Sequence, residues 1–361
     1  MTTPTGQDGS GAGGAETELT GAGGTGAERR YAEHTARLAA PAGRAYDLIA
    51  DVRRWPLLFP PCLHAEVLEA GPGTERVRLW ALAGDEIRSW TSRRTLDPAS
   101  LRIGFRQEDS APPLADMGGE WRFEAKSDGD GDGGDGTRLV LAHDWSMSSP
   151  GEEAHRWVTD ALDRNSAAEI GAVTDWAQRA EAAGGAGELI FSFTDTLDIA
   201  APAADVYAFL HRADLWPGRL PHVAGLDLDS APAGPTTAGA EIQRMAMETR
   251  AADGTSHRTR SIRLCFTDEL IVYKQTIVPP PLLGHAGAWT LTPTASGTRV
   301  TARHRVALDP DALAARFGPG ATLRTAREKV RELLGGNSRH TLEHARAHTE
   351  ATAGAGAVNA R

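Results

Sequence analysis

The sequence has few cysteines and contains no long apolar run. Its 361 residues include two cysteines, Cys62 and Cys265, too few for a disulfide framework or a cysteine-built metal site. No stretch approaches the roughly 18 consecutive apolar residues of a membrane span, and the N-terminus lacks the charged and apolar regions of a secretory signal. We therefore expect a soluble, cytoplasmic protein without a membrane partner.

Acidic residues outnumber basic ones, 48 to 38. The formal net charge is −10 and the sequence pI is about 5.7, which argues against a strongly basic nucleic-acid binder. Only three of the 38 basic residues are lysines, namely Lys126, Lys274 and Lys329. Nucleic acid is therefore not an expected partner.

The first 28 residues consist mostly of small residues that cannot bury enough surface to offset chain entropy, and they predict a disordered tail. The run Gly21–Gly26 matches G-x-G-x-x-G formally. No strand precedes it and no βαβ unit surrounds it, so it does not indicate a dinucleotide site.

The rest of the chain is an internal repeat. PAGRAYDLIADVRRWPLLFP, which begins at Pro41, matches PAADVYAFLHRADLWPGRLP, which begins at Pro202. Paired residues such as Trp55 and Trp216 differ by 161, pairs around Trp121 and Trp289 differ by 168, and the pair His143 and His304 returns to 161. Seven extra residues in the acidic stretch 128–136 account for the change.

Each copy shows the same order of elements: a strand, a short helix opened by proline, a break at Trp-Pro, many antiparallel strands, and a long closing helix. The closing helices are predicted at about 153–182 and 322–348. We expect an α+β protein with domains at 29–183 and 188–350 and a second disordered tail at 351–361. A curved sheet wrapped on one long helix would leave an internal cavity.

Several large or polar residues fall on inward faces of the predicted strands. Trp121 and Trp289 alternate with polar neighbours, and core packing is the simplest role for such aromatics. His143 and His304 interrupt apolar stripes at the same repeat position. Each is either a core histidine with a satisfied partner or a group that lines a cavity.

Arg94 shares a strand face with Trp90 and Ser92. An inward arginine is costly in a dry core and would mark a ligand-bearing cavity; if the strand parity is off by one, Arg93 turns inward instead. In the second copy the ungapped repeat aligns Arg94 with Ile262, and a one-residue bulge would bring Arg263 to that place instead. The arginine of the second site is therefore either Arg260 or Arg263. His285 shares the face of Trp289 and replaces Met117 of the first copy, so it is the strongest second-site acid/base candidate.

Two further sequence patterns resemble metal sites but do not predict one. The run Asp128–Gly133 opens like a calcium loop, but the twelfth position is Leu139 and strands flank it, so we expect a solvated hairpin tip. His340, His344 and His348 recur every four residues on the last helix without a nearby carboxylate or cysteine. No metal and no cofactor are therefore predicted.

The segments Asp51–Pro60, Ser89–Pro98 and Thr159–Asn165 resemble the aromatase/cyclases of bacterial type II polyketide synthases. The second copy, with Val272–Thr276 and Gly284–Trp289, is similar to the tandem arrangement of the di-domain subclass. The resemblance covers nearly everything from residue 30 to 350.

The resemblance implies a START-like helix-grip fold in each domain and a poly-β-ketone substrate on an acyl carrier protein. The implied reaction is aldol closure of the first ring, between carbons seven and twelve, followed by loss of water to an aromatic product. The essential pocket arginine of the family falls on Arg94, with Trp90, Ser92 and Trp121 as neighbours. The pocket tyrosine of some single-domain relatives is Cys62 here and Val223 in the second copy.

We accordingly place catalytic candidates at Arg94, His143, His285, His304, Arg260 and Arg263, and substrate-binding candidates at Trp55, Trp90, Ser92, Met117, Trp121, Tyr273 and Trp289. Expected partners are the acyl carrier protein, for which Arg53 and Arg54 are docking candidates, and other synthase components. The alternative function is a non-catalytic lipid or isoprenoid binder, because fold does not settle function. A third hypothesis makes one copy structural and the other active.

Overall fold

The computed structural model describes residues 28–125, 136–148, 151–250 and 256–359. The predicted N-terminal tail with its glycine-rich run and the acidic hairpin tip lie almost entirely outside these ranges. Within them, no helix is both long enough and apolar enough to cross a bilayer.

In the described ranges, the first repeat contains seven strands and three α-helices. In chain order they are β1 Arg29–Leu38, α1 Ala42–Ala50, α2 Trp55–Leu58, β2 Cys62–Gly71, β3 Thr74–Ala83, β4 Glu86–Asp97, β5 Arg102–Gln107, β6 Leu114–Ala125, β7 Thr137–Met147 and α3 Glu152–Ala182.

The second repeat follows the same order after a short connecting helix, with one additional helix before the closing one. Its elements are α4 Ala186–Leu189, β8 Ile190–Ile199, α5 Ala203–His211, α6 Trp216–Arg219, β9 Val223–Ala231, β10 Glu241–Arg250, β11 Ser256–Phe266, β12 Leu270–Ile277, β13 Leu282–Thr294, β14 Gly297–Leu308, α7 Leu313–Phe317 and α8 Leu323–Asn359.

Each repeat forms one seven-stranded sheet. The strand orders are β1-β7-β6-β5-β4-β3-β2 and β8-β14-β13-β12-β11-β10-β9, so the first strand of each repeat pairs with the last one. All strand pairs with a described register are antiparallel. The predicted α+β class and tandem antiparallel sheets are therefore confirmed.

The register of the last hairpin explains the shift in repeat offset. Trp121 pairs with Leu141 in the first repeat, a separation of 20 residues, whereas Trp289 pairs with Ala302, a separation of 13. The strands thus stay in register, and the seven extra residues fall in the turn between them. Insertions at a hairpin turn leave the sheet pattern intact because turns lie at the surface.

The Trp-Pro segments differ from the prediction. Trp55 and Pro56 begin the one-turn helix α2, and Trp216 and Pro217 begin α6 in the same way. Proline at the first turn of a helix costs no hydrogen bond, because the N–H that it lacks would have no intrahelical partner there. The dipeptide therefore starts a helical turn where the sequence pattern suggested a break.

The two closing helices differ in how well they match their predicted bounds. α3 lies within one residue of the prediction, whereas α8 continues past its predicted end near 348 to Asn359. The apolar spacing ends near 348, but the alanines that follow have high helix propensity. The end of α8 therefore has residues that favour a helix but lacks the apolar spacing from which the helix was predicted.

The chain packs as two compact units whose limits do not follow the repeat. The first comprises the residues up to Asp47, Pro72–Thr74 and Arg93–Gln178. The second comprises Leu48–Gly71, Glu75–Ser92 and Arg179–Arg361. Part of the first repeat, including β2 and most of β3, therefore belongs to the same unit as the whole second repeat.

Candidate active site

Three side chains of the second repeat meet on three adjacent strands: Tyr273 on β12, His285 on β13 and His304 on β14. Tyr273 and His304 both pair with Gly287, which lies between them on β13. A Cβ atom on this glycine would lie 2.4 Å from the Tyr273 hydroxyl. The absence of a side chain therefore allows the hydroxyl to lie 3.1 Å from His304 Nδ1.

A chain of hydrogen bonds fixes the tautomers of both histidines. His285 Nδ1 lies 3.1 Å from Gln275 Oε1, and an amide oxygen only accepts, so Nδ1 is the donor. Neutral His285 then accepts at Nε2, which is 3.1 Å from His304 Nδ1, so His304 donates from Nδ1. His304 Nε2 is left with a lone pair, and it has no hydrogen-bond partner in the described structure.

The two rings are parallel and enclosed. His285 and His304 stack with centroids 5.3 Å apart, and Phe193 stacks on His304 at 4.6 Å. Burial lowers the pKa of His304 to about 4, and burial together with the neighbouring His304 lowers the pKa of His285 to about 3. Both imidazoles are therefore neutral at pH 7, the state in which a histidine acts as a base.

Arg263 supplies a buried cation to the same interior. Its side chain on β11 is 1% exposed, and Nη2 donates to the Leu210 carbonyl at 2.7 Å. The guanidinium carbon lies 5.3 Å from the ring centroid of Trp216 and 6.0 Å from that of Trp289. Arg263 Nε and Nη1, together with the Trp289 indole N–H, have no hydrogen-bond partner among the described residues.

Tyr273 connects the two groups, since its ring lies 5.4 Å from both His285 and Trp289. Buried donors and acceptors without partners are rare in proteins and cost stability unless a ligand satisfies them. A cation, three donors and a neutral imidazole base thus lie in one interior region of the second unit. This set can stabilise an oxyanion and transfer a proton.

The first repeat has a simpler arrangement around His143. This residue is buried on β7, its Nδ1 lies 3.4 Å from Ser166 Oγ of α3, and Phe105 packs edge-on at 5.5 Å. Burial lowers the pKa of His143 to about 4, so this imidazole is also neutral at pH 7. Phe105 and Met117 occupy the positions of Tyr273 and His285, and the hydroxyl and the second imidazole are therefore absent there.

Arg94 lies in the interior, as its strand parity predicts. The side chain is 2% exposed on β4, whereas the neighbouring Arg93 is exposed and pairs with Glu108 at 3.0 Å. Ser92 on the same strand is also buried, and Trp121 is 3% exposed on β6. A buried guanidinium is costly unless an anion or a carbonyl oxygen accepts its hydrogen bonds.

Two models of one protein family, described as polyketide cyclase/dehydrase and lipid transport, match the chain at residues 38–168 and 191–350. The chain belongs to this polyketide cyclase family. The actinorhodin polyketide synthase bifunctional cyclase/dehydratase of Streptomyces coelicolor is 48% identical over 87% of this chain and 95% of its own length. The granaticin counterpart of Streptomyces violaceoruber is 43% identical over 87% of this chain and 92% of its own.

Solved structures agree with this family assignment. The di-domain ARO/CYC BexL from the BE-7585A biosynthetic pathway matches with a TM-score of 0.73 and 40% identity, over 89% of this chain and 99% of its own. The di-domain ARO/CYC StfQ from the steffimycin pathway matches with a TM-score of 0.67 and 34% identity, over the same shares. The predicted tandem organisation of the polyketide cyclase family is confirmed.

Within this polyketide cyclase fold, one predicted site residue is misplaced. Arg260 is exposed on β11, so Arg263 is the inward arginine of the second repeat. The shift of one residue arises in the turn that follows the strand. Four residues separate β4 from β5, whereas three separate β11 from β12, so the residue equivalent to Arg94 moves one place along the strand.

The remaining predicted residues have partners within the protein. Trp55 donates its indole N–H to the Ile49 carbonyl at 3.1 Å and packs on Phe59. Trp90 is half-buried against the cluster that contains Val52. Met117 is half-buried, and its sulfur accepts a hydrogen bond from Gln107 at 3.6 Å. Their predicted role in substrate binding remains a prediction.

Sequence reasoning missed several groups near these sites. Gln275 and its counterpart Gln107 are a repeated pair in the sequence. Because a glutamine carries no charge, the pattern did not predict a role for either one in the site. His34 is buried on β1 and bonds Asp163 at 3.0 Å. On α3, burial raises the pKa of the half-buried Glu169 to about 7. Among the described residues, no three metal-ligating side chains lie close enough to hold an ion.

Proposed function

We propose that this member of the polyketide cyclase family closes and aromatises the first ring of a poly-β-ketone held on an acyl carrier protein. The observation that supports the proposal most directly is the series of hydrogen bonds from Gln275 through His285 to His304. It leaves His304 Nε2 as a neutral base in the same interior region as the buried Arg263. A non-catalytic binder needs an apolar lining and gains nothing from these costly polar groups.

In the proposed aldol step, His304 Nε2 removes a proton from a carbon between two ketones. The resulting enolate carbon forms a bond to a ketone carbon farther along the chain, and the electron pair of that C=O bond moves to its oxygen. The guanidinium of Arg263 and the Trp289 N–H stabilise this oxyanion in a poorly solvated interior. The proton on His304 then returns to the oxygen to give a hydroxyl.

Dehydration uses the same groups. The base takes an adjacent α-proton, the electron pair forms a C=C bond, and the hydroxyl leaves as water with a proton from the imidazolium. Neutral His285 and Gln275 keep the lone pair of His304 on Nε2, because Nδ1 is engaged as a donor. The reaction consumes no redox equivalent, so the proposal invokes no cofactor.

The first compact unit contributes Arg94 and His143 as its own candidate pair. We keep the proposed domain limits of 29–183 and 188–350, the cytoplasm as the location, and the acyl carrier protein with other synthase components as partners. Cys62 and Cys265 are buried and form no disulfide, which supports a reducing compartment. The proposal also gives the tryptophans a steric role, in which they hold the ketide in one folded path.

A pair of arginine variants on one strand tests the assignment. Arg263→Met removes the buried cation, and Arg260→Met removes an exposed arginine three residues away as the matched control. We expect Arg263→Met to lower formation of aromatic product roughly 100-fold or more, the usual effect of removing an oxyanion donor. Arg260→Met should keep wild-type turnover, measured by chromatography of the products from a carrier-bound polyketide.

Binding of a fluorescent apolar ligand is measured on the same variants. If Arg263→Met still binds the ligand but no longer forms aromatic product, the result supports a catalytic role for Arg263. Equal turnover in Arg263→Met and wild type, with folding confirmed by circular dichroism, would contradict the catalytic assignment and favour the lipid or isoprenoid binder.

A further inference from the structure

A second polar site lies on the outer face of β14, away from the candidate active site. His304 points into the interior, while its neighbours Arg303 and Arg305 lie on the opposite face of the strand, as alternation requires. Within the second compact unit they line a pocket with Pro56, Leu63, His64 and Val272. The pocket is small, with a volume of about 40 Å³, and it is partly open to solvent.

In the part of the chain that the structure describes, neither arginine forms an ion pair with a carboxylate. Among the described residues Arg303 has neither a hydrogen bond nor an ion pair, and the hydrogen bond of Arg305 runs from Nη1 to the Arg53 carbonyl at 3.0 Å. Burial and the charge of Arg303 lower the pKa of Arg305. Two cations are thus held together at a cost that a bound anion would remove.

Asp51 is the carboxylate that acts electrostatically on Arg305, and it is already shared. Asp51 lies 3.6 Å from a guanidinium nitrogen of Arg53 and 3.6 Å from one of Arg54. Three arginines therefore share one carboxylate, in a chain whose net charge is −10. Such a local excess of positive charge attracts anions.

The internal repeat provides a comparison, because the same positions in the other copy are not basic. Arg303 and Arg305 correspond to Ala142 and Asp144, and the carboxylate of Asp144 accepts from Arg106 at 2.8 Å. Arg53 corresponds to Asp214, which pairs with Arg212. The common fold therefore does not require arginines at these positions, and a function specific to this pocket explains them.

His64 completes the lining with a neutral polar group. Its ring packs on Trp80 at 5.1 Å, and burial with the charges of Arg305 and Arg303 lowers its pKa to about 4. A neutral imidazole donates one hydrogen bond without adding charge. The walls formed by Pro56, Leu63 and Val272 are apolar and suit an aliphatic chain next to the anion.

We propose that this pocket binds a phosphate ester, with Arg303 and Arg305 on the phosphate and the apolar wall against the attached aliphatic group. Guanidinium groups match the geometry of phosphate oxygens and form charge-assisted hydrogen bonds with them. The source that fits the proposed function is the phosphopantetheine arm that joins a polyketide to its carrier. The anion site itself does not depend on the proposed function, whereas this source does.

Binding to the full-length chain tests the site without turnover. Phosphopantetheine, pantetheine and inorganic phosphate are titrated by calorimetry at low salt against wild type, Arg303→Gln and Arg299→Gln. Arg299 is the control, because it lies on the same face of β14 and pairs with Asp198 at 2.7 Å. We expect phosphopantetheine to bind wild type and Arg299→Gln equally, and Arg303→Gln at least 10-fold more weakly.

The other probes separate the sources. Phosphopantetheine that binds no more tightly than pantetheine, or equally well to Arg303→Gln and wild type, would overturn the phosphate site. Inorganic phosphate that binds as tightly as phosphopantetheine would overturn the carrier arm as the source, because the aliphatic part then adds nothing.

A kinetic readout distinguishes this proposal from the proposed function. Arg303→Gln should raise KM for a carrier-bound substrate about 10-fold, while turnover of a free thioester without a phosphate stays at the wild-type level. An unchanged KM contradicts binding of the arm during the reaction. The absence of aromatic product from wild type with either substrate contradicts the proposed function alone, because the titrations do not depend on it.

Discussion

At the scale of single residues, burial determines the charge state of the histidines. His143, His285 and His304 are less than 9% exposed, and burial is the largest cause of the lowered pKa of each one. A neutral imidazole that is enclosed in this way is a base at pH 7 and a source of instability in acid. The same physical cause therefore has a functional and a structural consequence.

We expect the protein to lose stability between pH 6.5 and pH 4, and His143 is the residue in which to test this. The unfolded imidazole binds a proton below about 6.5, whereas folded His143 does so only near 4, so protonation favours unfolding in this interval. Between pH 7 and pH 5 the wild type should lose about 2 kcal/mol more than His143→Gln does. Urea unfolding at both pH values measures the difference, and equal losses in the two proteins would show that this imidazole is not the cause.

At the scale of elements, Gly287 of β13 allows side chains of the two neighbouring strands, β12 and β14, to touch across it. Gly287 pairs with Tyr273 on one side and His304 on the other, and a side chain there would meet the Tyr273 hydroxyl and the Arg303 carbonyl. Its counterpart Gly119 is equally constrained, with the Ala142 carbonyl 2.1 Å from a Cβ at that position. Both repeats therefore depend on a glycine at the same place in the sheet.

Gly287→Ala should destabilise the chain by about 1 to 3 kcal/mol, the usual cost of overpacking. A Cβ atom there would lie 2.5 Å from the Arg303 carbonyl, and a backbone atom cannot move away as a flexible side chain can. Gly218→Ala in α6 is the matched control, since nothing lies within 4 Å of its Cβ. Thermal unfolding compares the two variants, and equal midpoints would contradict the crowding.

The turn between the fourth and fifth strands of each repeat sets which arginine faces inward. One extra residue between β4 and β5 moves the equivalent of Arg94 from Ile262 to Arg263. Alternation predicts which residues share a face, but it contains no information on the alignment of two repeats across turns of unequal length. For this reason the sequence left Arg260 and Arg263 as alternatives.

At the scale of the whole molecule, a lysine connects the two repeats within the second compact unit. Lys274 of β12 is 8% exposed, and its ammonium donates to the carbonyls of Phe59, Pro60 and Cys62 at 2.9, 2.7 and 2.9 Å. All three donors of the ammonium are satisfied. Burial lowers the pKa of Lys274 to about 8, so it remains mostly charged at pH 7.

Lys274→Met should lower the free energy of unfolding by about 3 kcal/mol, because the three carbonyls lose a charged donor. Lys329→Met is the control: Lys329 is exposed on α8 and lies 5.1 Å from the ring centroid of Phe317, a contact worth less than about 1 kcal/mol. Chemical denaturation at pH 7 gives both values. A loss no larger than that of the control would show that Lys274 does not stabilise the unit.

The order of residue types was enough to predict the repeat, the order of strands and helices, the inward faces of His143, His304 and Trp289, and the burial of Arg94. These follow from periodicity, because a side chain two residues along a strand returns to the same face. Only the folded chain shows which groups meet: Gln275 with His285, Tyr273 with His304, and Lys274 with the carbonyls of another repeat. Such contacts depend on the register of strands distant in sequence and on small spaces such as the one at Gly287, and a linear pattern of residue types encodes neither.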